Sequence, residues 1–238
     1  MLLFDMHSHI LPAIDDGAED LNESLKILKL MQQQGITDVM ATPHFYPESD
    51  NLEDFKKNSS EAFKKVKEFA VKRDLPNIYL GCELLYFRGL SKVDSLPQFC
   101  MNGSKYLLLE LIDYCIDETL FKEIVEIREN FGVEPVIAHA ERYFRASKYR
   151  KFLKFLKQNN IAVQINADSV LSGQMKKTVK KLLSLSLTCV IASDAHSTTI
   201  RPPRLKQALD AICETYGEEC RSKLLADSEY FYKEITAV

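Results

Sequence analysis

No run of apolar residues in this chain of 238 approaches the ~20 that a membrane-spanning helix requires. The six cysteines are scattered, with no C-x-x-C and no even framework, which excludes a disulfide-stapled fold and points to reduced thiols in the cytoplasm. An excess of basic charge is missing too. Lys and Arg total 31 against 34 Asp and Glu, and the net charge of −3 argues against a nucleic-acid binder driven by bulk charge. There is no internal repeat, low-complexity tract or linker, so residues 1–238 read as one domain of a size that α/β barrels commonly take. His7 comes so early that no signal peptide is expected before it. With 46% hydrophobic and 27% charged residues, the chain can bury a sizeable core and stay soluble.

Histidine is scarce as well, and none of the five is spare: His7, His9, His44, His139 and His196 all fall where a metal site would need them. A lone histidine on a strand is ordinarily a packing or surface residue. Here the first two form an H-x-H with Asp16 following, and the last closes Asp194-Ala195-His196. Imidazole and carboxylate together make a mixed nitrogen and oxygen ligand set, which suits manganese, iron or zinc better than calcium.

Short apolar runs bounded by turn or polar residues predict strands, and most end on a candidate ligand. Residues Leu2 to Met6 run into His7 and His9, Ile36 to Thr42 into His44, and Ile78 to Cys82 into Glu83. Tyr106 to Leu109 run into Glu110, Pro135 to Ala138 into His139, Ala162 to Ile165 into Asn166, and Leu187 to Ser193 into Asp194 and His196. Between them lie helical patterns. One carries Leu21, Leu25, Leu28 and Met31 and ends at Gly35; another carries Phe121, Ile124 and Val125 and ends at Gly132. Ser147 is the expected N-cap of a helix through Phe152, Leu153 and Leu156. Others are expected over 54–72, 174–185, 204–216 and from about Glu218 onward. Strand alternating with helix implies a parallel sheet, and ligands at one end of every strand imply closure, because only closure brings the first strand beside the last. The predicted fold is a TIM-like barrel of seven βα units.

His7, His9, Asp16, His44, Glu83, Glu110, His139, Asp194 and His196 exceed the three or four protein ligands that one metal takes, and suffice for two or three with bridging carboxylates. Such clusters make hydroxide from bridging water near neutral pH and clamp the oxygens of an in-line displacement, which suits phosphoester hydrolysis. Arg142, three residues after His139, and Arg201, five after His196, are placed to grip phosphate oxygens at the rim of the cup. Pro202 and Pro203 restrict the backbone after Arg201.

His7-Ser8-His9-Ile10-Leu11-Pro12, Asp15-Asp16-Gly17, Ala41-Thr42-Pro43-His44, Gly81-Cys82-Glu83, Leu109-Glu110, Ile137-Ala138-His139 with Glu141-Arg142-Tyr143, and Ser193-Asp194-Ala195-His196 resemble the polymerase and histidinol phosphatase (PHP) superfamily. Within it the chain is most similar to the bacterial tyrosine-protein phosphatases of capsule and exopolysaccharide operons, the CpsB/CapC/YwqE type. The resemblance runs in order from Met1 to about Arg204. It implies a distorted (β/α)7 barrel filling the chain, three divalent metals, commonly manganese, on the nine residues named above, and Arg142 and Arg201 as the phosphate-binding arginines. It implies hydrolysis of phosphotyrosine, with the cognate bacterial tyrosine kinase as partner and substrate. Ala140 departs from the family's usual proline, which loosens a turn without removing a ligand, and Asp168 stands where glycine is common.

Cys82 and Arg88 make a formal C-x5-R, but the bulky residues between them, Glu83 to Phe87, cannot form the phosphate-cradling loop of a cysteine-dependent phosphatase. Arg145, Lys148, Arg150, Lys151, Lys154 and Lys157 form a basic helix face, either solvated or a dock for an acidic phosphorylated tail or anionic membrane surface. Tyr230, Phe231 and Tyr232 read as helix packing. A small-molecule phosphomonoesterase, such as a histidinol-phosphate phosphatase, and a catalytically silent metal-binding regulator are the alternative functions.

Overall fold

Every expected apolar run forms a parallel strand in the computed structural model, which describes residues 2–145, 148–173 and 176–237. Ser147, Gln174 and the Arg145 side chain, each part of an expectation above, lie outside the described residues. The strands are β1 (Phe4–Ser8), β2 (Asp38–Ala41), β3 (His44–Phe45), β4 (Asn77–Leu80), β5 (Glu83–Leu85), β6 (Tyr106–Glu110), β7 (Glu134–Ile137), β8 (Ala162–Asn166) and β9 (Cys189–Ala192). Two sheets result, ordered β1-β2-β4 and β3-β5-β6-β7-β8-β9.

The second and third expected strands are each kinked into two. Pro43 has no N–H for the ladder, and at Gly81 a Cβ would lie 3.0 Å from Met101 Cγ and 3.2 Å from Met40 Sδ, so the methionines pack closely over the bare backbone there. Hydrogen bonding nevertheless carries across both breaks. The Gly81 N–H donates to the Ala41 carbonyl at 2.8 Å and the Glu83 N–H to that of Pro43 at 3.0 Å. The ring closes where Ser8 bridges Ala195, with the Asp194 N–H on the His7 carbonyl at 2.9 Å and the His9 N–H on that of Ala195 at 2.8 Å. Counting each kinked pair as one strand gives the expected seven, in a distorted TIM-like barrel.

The helices are α1 (Leu21–Gln33), α2 (Leu52–Lys72), α3 (Glu118–Phe131), α4 (Tyr149–Gln158), α5 (Ala167–Leu171), α6 (Lys176–Leu183), α7 (Leu205–Tyr216) and α8 (Glu218–Thr236). Asp20, Asn51 and Asp117 cap the first three by accepting backbone N–H bonds of the opening turn. Gly132 ends α3 in the left-handed region at φ 63°. Two features depart from the expected alternation. Between β5 and β6 the chain makes short 3-10 turns instead of an α-helix, and α5 was not foreseen. On α4 the buried Phe152, Leu153 and Leu156 face the core, while Lys148, Arg150, Lys151, Lys154 and Lys157 are exposed, with Lys151 3.4 Å from Glu118.

One apolar cluster fills the space between strands and helices; a second lies inside the lower barrel and includes Phe4, Met6, Met40, Leu108, Val136 and Val190. Phe231 and Ile235 of α8 belong to the second cluster, so the last helix stoppers the bottom of the barrel, with the Phe231 ring edge-on to Tyr106 at 4.9 Å. Replacing Phe231 with alanine removes a fully buried ring and should cost about 3–5 kcal/mol in urea unfolding. A loss below about 1 kcal/mol would show that α8 does not close the barrel.

Candidate metal centre

The barrel strands present alternate side chains inward, apolar below and polar above. On β6 Tyr106 and Leu108 belong to the lower cluster and Glu110 follows them on the same face; on β8 Ala162 leads to Gln164 and Asn166. In β1 strict alternation would turn His7 away from Met6. Instead the register passes from Asp5 opposite Val39 to Ser8 opposite Ala41, so Met6 and His7 together face Met40. This bulge re-aims the chain, and Met6 packs below while His7 and His9 enter the cup. His139 and Asp194 are also specially held, with left-handed φ of 31° and 52° just past β7 and β9. That region is uncommon for residues other than glycine, and Asp and His are among those that tolerate it best.

All nine predicted ligand residues come together. His7 and His9 Nε2 lie 3.1 Å apart and 3.0 and 3.2 Å from Glu83 Oε2. Asp194 Oδ1 is 3.4 and 3.3 Å from the same two nitrogens. His139 Nε2 stands 2.9 Å from Glu83 Oε1 and 3.3 Å from Glu110 Oε1. Asp16 Oδ1 is 3.3 Å from His196 Nε2 and 3.6 Å from His44 Nε2. Three nests emerge, in each of which the donor atoms lie within 4.8 Å of one another: His9, Asp16, His44 and His196; His7, His9, Glu83 and Asp194; and His44, Glu83 and Glu110. His139 adjoins the third through both of its carboxylates.

A further layer, missed from sequence, orients these groups. The Asp15 carboxylate accepts from His9 Nδ1 at 2.8 Å and from the His44 N–H at 2.9 Å. Gln164 Oε1 accepts from His7 Nδ1 at 3.0 Å and the His139 N–H at 2.7 Å. His196 Nδ1 donates to the Asp194 carbonyl at 2.9 Å. These acceptors have no proton to give, so each Nδ1 must carry a hydrogen, which leaves Nε2 as the ligating atom of the neutral ring. The Tyr143 hydroxyl lies 3.2 Å from His139 Nδ1 and accepts the Leu111 N–H at 2.9 Å. Asn166 Nδ2 donates to Asp194 Oδ2 at 2.6 Å. A polar Gln164 on the inward face of an otherwise apolar strand, and Asp15 beside Asp16, were the signals available in the sequence.

The donor set fits divalent cations. His7 and His9 Nε2 approach each other to 3.1 Å, and buried His44 Nδ1 makes no hydrogen bond. Protons stand in for positive charge here. Burial opposes a charged His139, yet its bonds to Glu110 and Glu83 push it up to about 9. Burial works against ionised Glu83 too, but His7, His139 and His9 hold it well below the usual carboxylate range. Nitrogen and oxygen donors in this mixture match manganese, iron or zinc.

Both predicted arginines reach the rim of the cup. Arg142 Nη2 donates to Asp194 Oδ2 at 2.9 Å, and Arg201 bonds the same oxygen and His196 Nε2, the latter at 2.8 Å. Their side chains stay 44% and 32% exposed, so each can turn to an incoming anion. Alanine at 140 does not disturb this, since the turn over Ala140–Arg145 forms with the Arg142 N–H on the His139 carbonyl at 2.9 Å. Asp168 pairs with Arg204 at 3.3 Å. The C-x5-R pair has no site: Cys82 is buried, which pushes its thiol up, and Arg88 is held by Asp117 at 2.6 Å.

The family model for capsular polysaccharide synthesis, CpsB/CapC, matches residues 3–230. The chain belongs to the CpsB/CapC family. It is 31% identical to the tyrosine-protein phosphatase CpsB of Streptococcus pneumoniae, over 95% of this chain and 96% of that one. It is 29% identical to the tyrosine-protein phosphatase YwqE of Bacillus subtilis, over 98% and 93%. Among solved structures, one from the work on YwqE and CpsB, described as unique metal-dependent tyrosine phosphatases, superposes with a TM-score of 0.83 at 25% identity, covering 98% of this chain and 94% of that one.

Two outcomes follow for this CpsB/CapC member. Asp15→Asn weakens the bond that orients His9 and should lower manganese affinity about 10- to 100-fold, read by calorimetry; unchanged affinity would remove Asp15 from the site. Because its bonds to Glu110 and Glu83 push His139 up to about 9 and a ligating imidazole must be unprotonated, affinity for a divalent cation should rise with pH up to about 9, with proton release. Calorimetry in buffers of different ionisation heat measures both, and a flat pH profile would contradict it.

Proposed function

We propose that this chain is a metal-dependent protein-tyrosine phosphatase in which His7, His9, Asp16, His44, Glu83, Glu110, His139, Asp194 and His196 hold three divalent cations, manganese foremost, with iron or zinc as substitutes. The observation that carries the reading is the convergence of eight of these side chains into three donor nests that share His9, His44 and Glu83, with His139 beside the third. Shared donors are what a cluster of neighbouring cations requires. Membership of the CpsB/CapC family, and relatives named as tyrosine-protein phosphatases, support the choice of phosphotyrosine over other phosphomonoesters.

Cations bound there would supply Lewis acidity and a water acidified toward neutral pH. The rest falls to the chain's own residues. Arg142 and Arg201 leave Asp194 to grip the phosphate oxygens, and their planar forks stabilise the charge that builds on the equatorial oxygens during transfer. Asp15, Gln164 and Tyr143 keep the imidazoles in the right tautomer and aim. The leaving group is a phenolate, which with an unperturbed pKa of about 10 needs less protonation than an alkoxide.

The substrate we assign is a phosphotyrosine protein, in particular the cognate bacterial tyrosine kinase of capsule or exopolysaccharide synthesis. Among the described residues no helix is long and apolar enough to cross a membrane. Cys82, Cys100, Cys115 and Cys189 are buried free thiols, which fits a place in the cytoplasm.

Phosphate release from a phosphotyrosine peptide and from histidinol phosphate, in manganese and then in EDTA, tests the reading. The peptide should turn over and the chelator should abolish it. Arg142→Ala should lower turnover about 100-fold with metal content unchanged. Preference for histidinol phosphate would transfer the site to a small-molecule substrate, and metal loss in Arg142→Ala would undo the role given to that arginine.

A further inference from the structure

Among the described residues, Tyr46 alone stacks an aromatic ring on a candidate ligand while reaching water. Its ring lies 5.1 Å from that of His44 at 23°, and the residue is 37% exposed. The neighbouring ring goes the other way: Phe45 packs in the core at 5.0 Å from Phe55 and 4.8 Å from Phe99, anchoring the segment from below. Above, the turn is braced by the Tyr46 N–H on Asp50 Oδ2 at 2.7 Å and by the Ser49 and Asp50 N–H groups on the Tyr46 carbonyl at 3.0 and 2.9 Å. The ring is therefore fixed at the lip of the cup, with His44 on one face and solvent access remaining.

A phosphomonoester whose phosphate reaches the nests must leave its organic group at that lip. The arginines stand on the Asp194 side, where they take charge; Tyr46 stands on the His44 side and offers an apolar ring. Offset stacking of two aromatic rings is favourable and, beyond the area it buries, unavailable to an alkyl group. We propose that Tyr46 is a specificity-determining residue that receives the phenyl ring of an aryl phosphate and so makes the site prefer phosphotyrosine to alkyl phosphomonoesters. The proposal rests on the phosphatase reading above and names the side chain that selects within it.

Phenylphosphonate and methylphosphonate separate the selective role from a bracing role for His44. Their dissociation constants are measured by calorimetry on the manganese-loaded full chain, for the unaltered protein, Tyr46→Phe and Tyr46→Ala, with metal content determined for each. The unaltered protein should bind phenylphosphonate more tightly, and Tyr46→Phe should keep that preference. Tyr46→Ala should weaken phenylphosphonate about fivefold while methylphosphonate and metal content hold. A preference intact in Tyr46→Ala, or both ligands or the metal weakening together, would overturn the assignment and leave Tyr46 as a brace. Failure of the unaltered, metal-loaded protein to bind either phosphonate would overturn the phosphatase reading itself, and the assignment with it.

Discussion

Imidazole nitrogens and carboxylate charges are crowded into a cup whose floor is sealed from water, and the fold is arranged to hold them there. His7, His9, Glu83 and Asp194 are buried, and their donor atoms approach one another as neutralised partners would. Removing such groups from water costs several kcal/mol each unless something of opposite charge compensates. Protons do this in part, as the raised His139 and His9 and the depressed Glu83 and Asp194 indicate. Divalent cations would do it fully, exchanging shared protons for metal bonds.

Around that constraint the barrel divides its labour by height. The lower interior is apolar and stoppered by α8. The upper interior has almost nothing apolar, and its rigidity comes from hydrogen bonds that run sideways between strands. Gln164 of β8 ties His7 after the β1 bulge to the backbone of His139 after β7. Asn166 ties β8 to Asp194, and Asp15 ties His9 to the backbone of His44. Each tether spans two strands, so the donor geometry is a property of the closed ring.

Much of this was legible in the sequence, for a physical reason. Parallel barrel strands are buried on both faces and read as short apolar runs, and ligands at their carboxyl ends mark where each run stops. Hence His44, Glu83, Glu110, His139 and Asp194 were all found at strand ends. What escaped depends on neighbours in space. The bulge at Met6 and His7 is set by pairing with Met40, which no local pattern encodes. The kink at Gly81 answers to Met101, twenty residues away along the chain. The roles of Gln164 and Tyr46 likewise arise from β8 and the β3 turn lying beside the histidines.

In the function proposed, three nests sharing His9, His44 and Glu83 bind three cations side by side. Anomalous diffraction from crystals grown with manganese, collected on both sides of the manganese absorption edge, tests it most directly. Three peaks are expected, one in each nest, close enough to share those bridging side chains. A lone peak, or manganese bound only outside the cup, would contradict it.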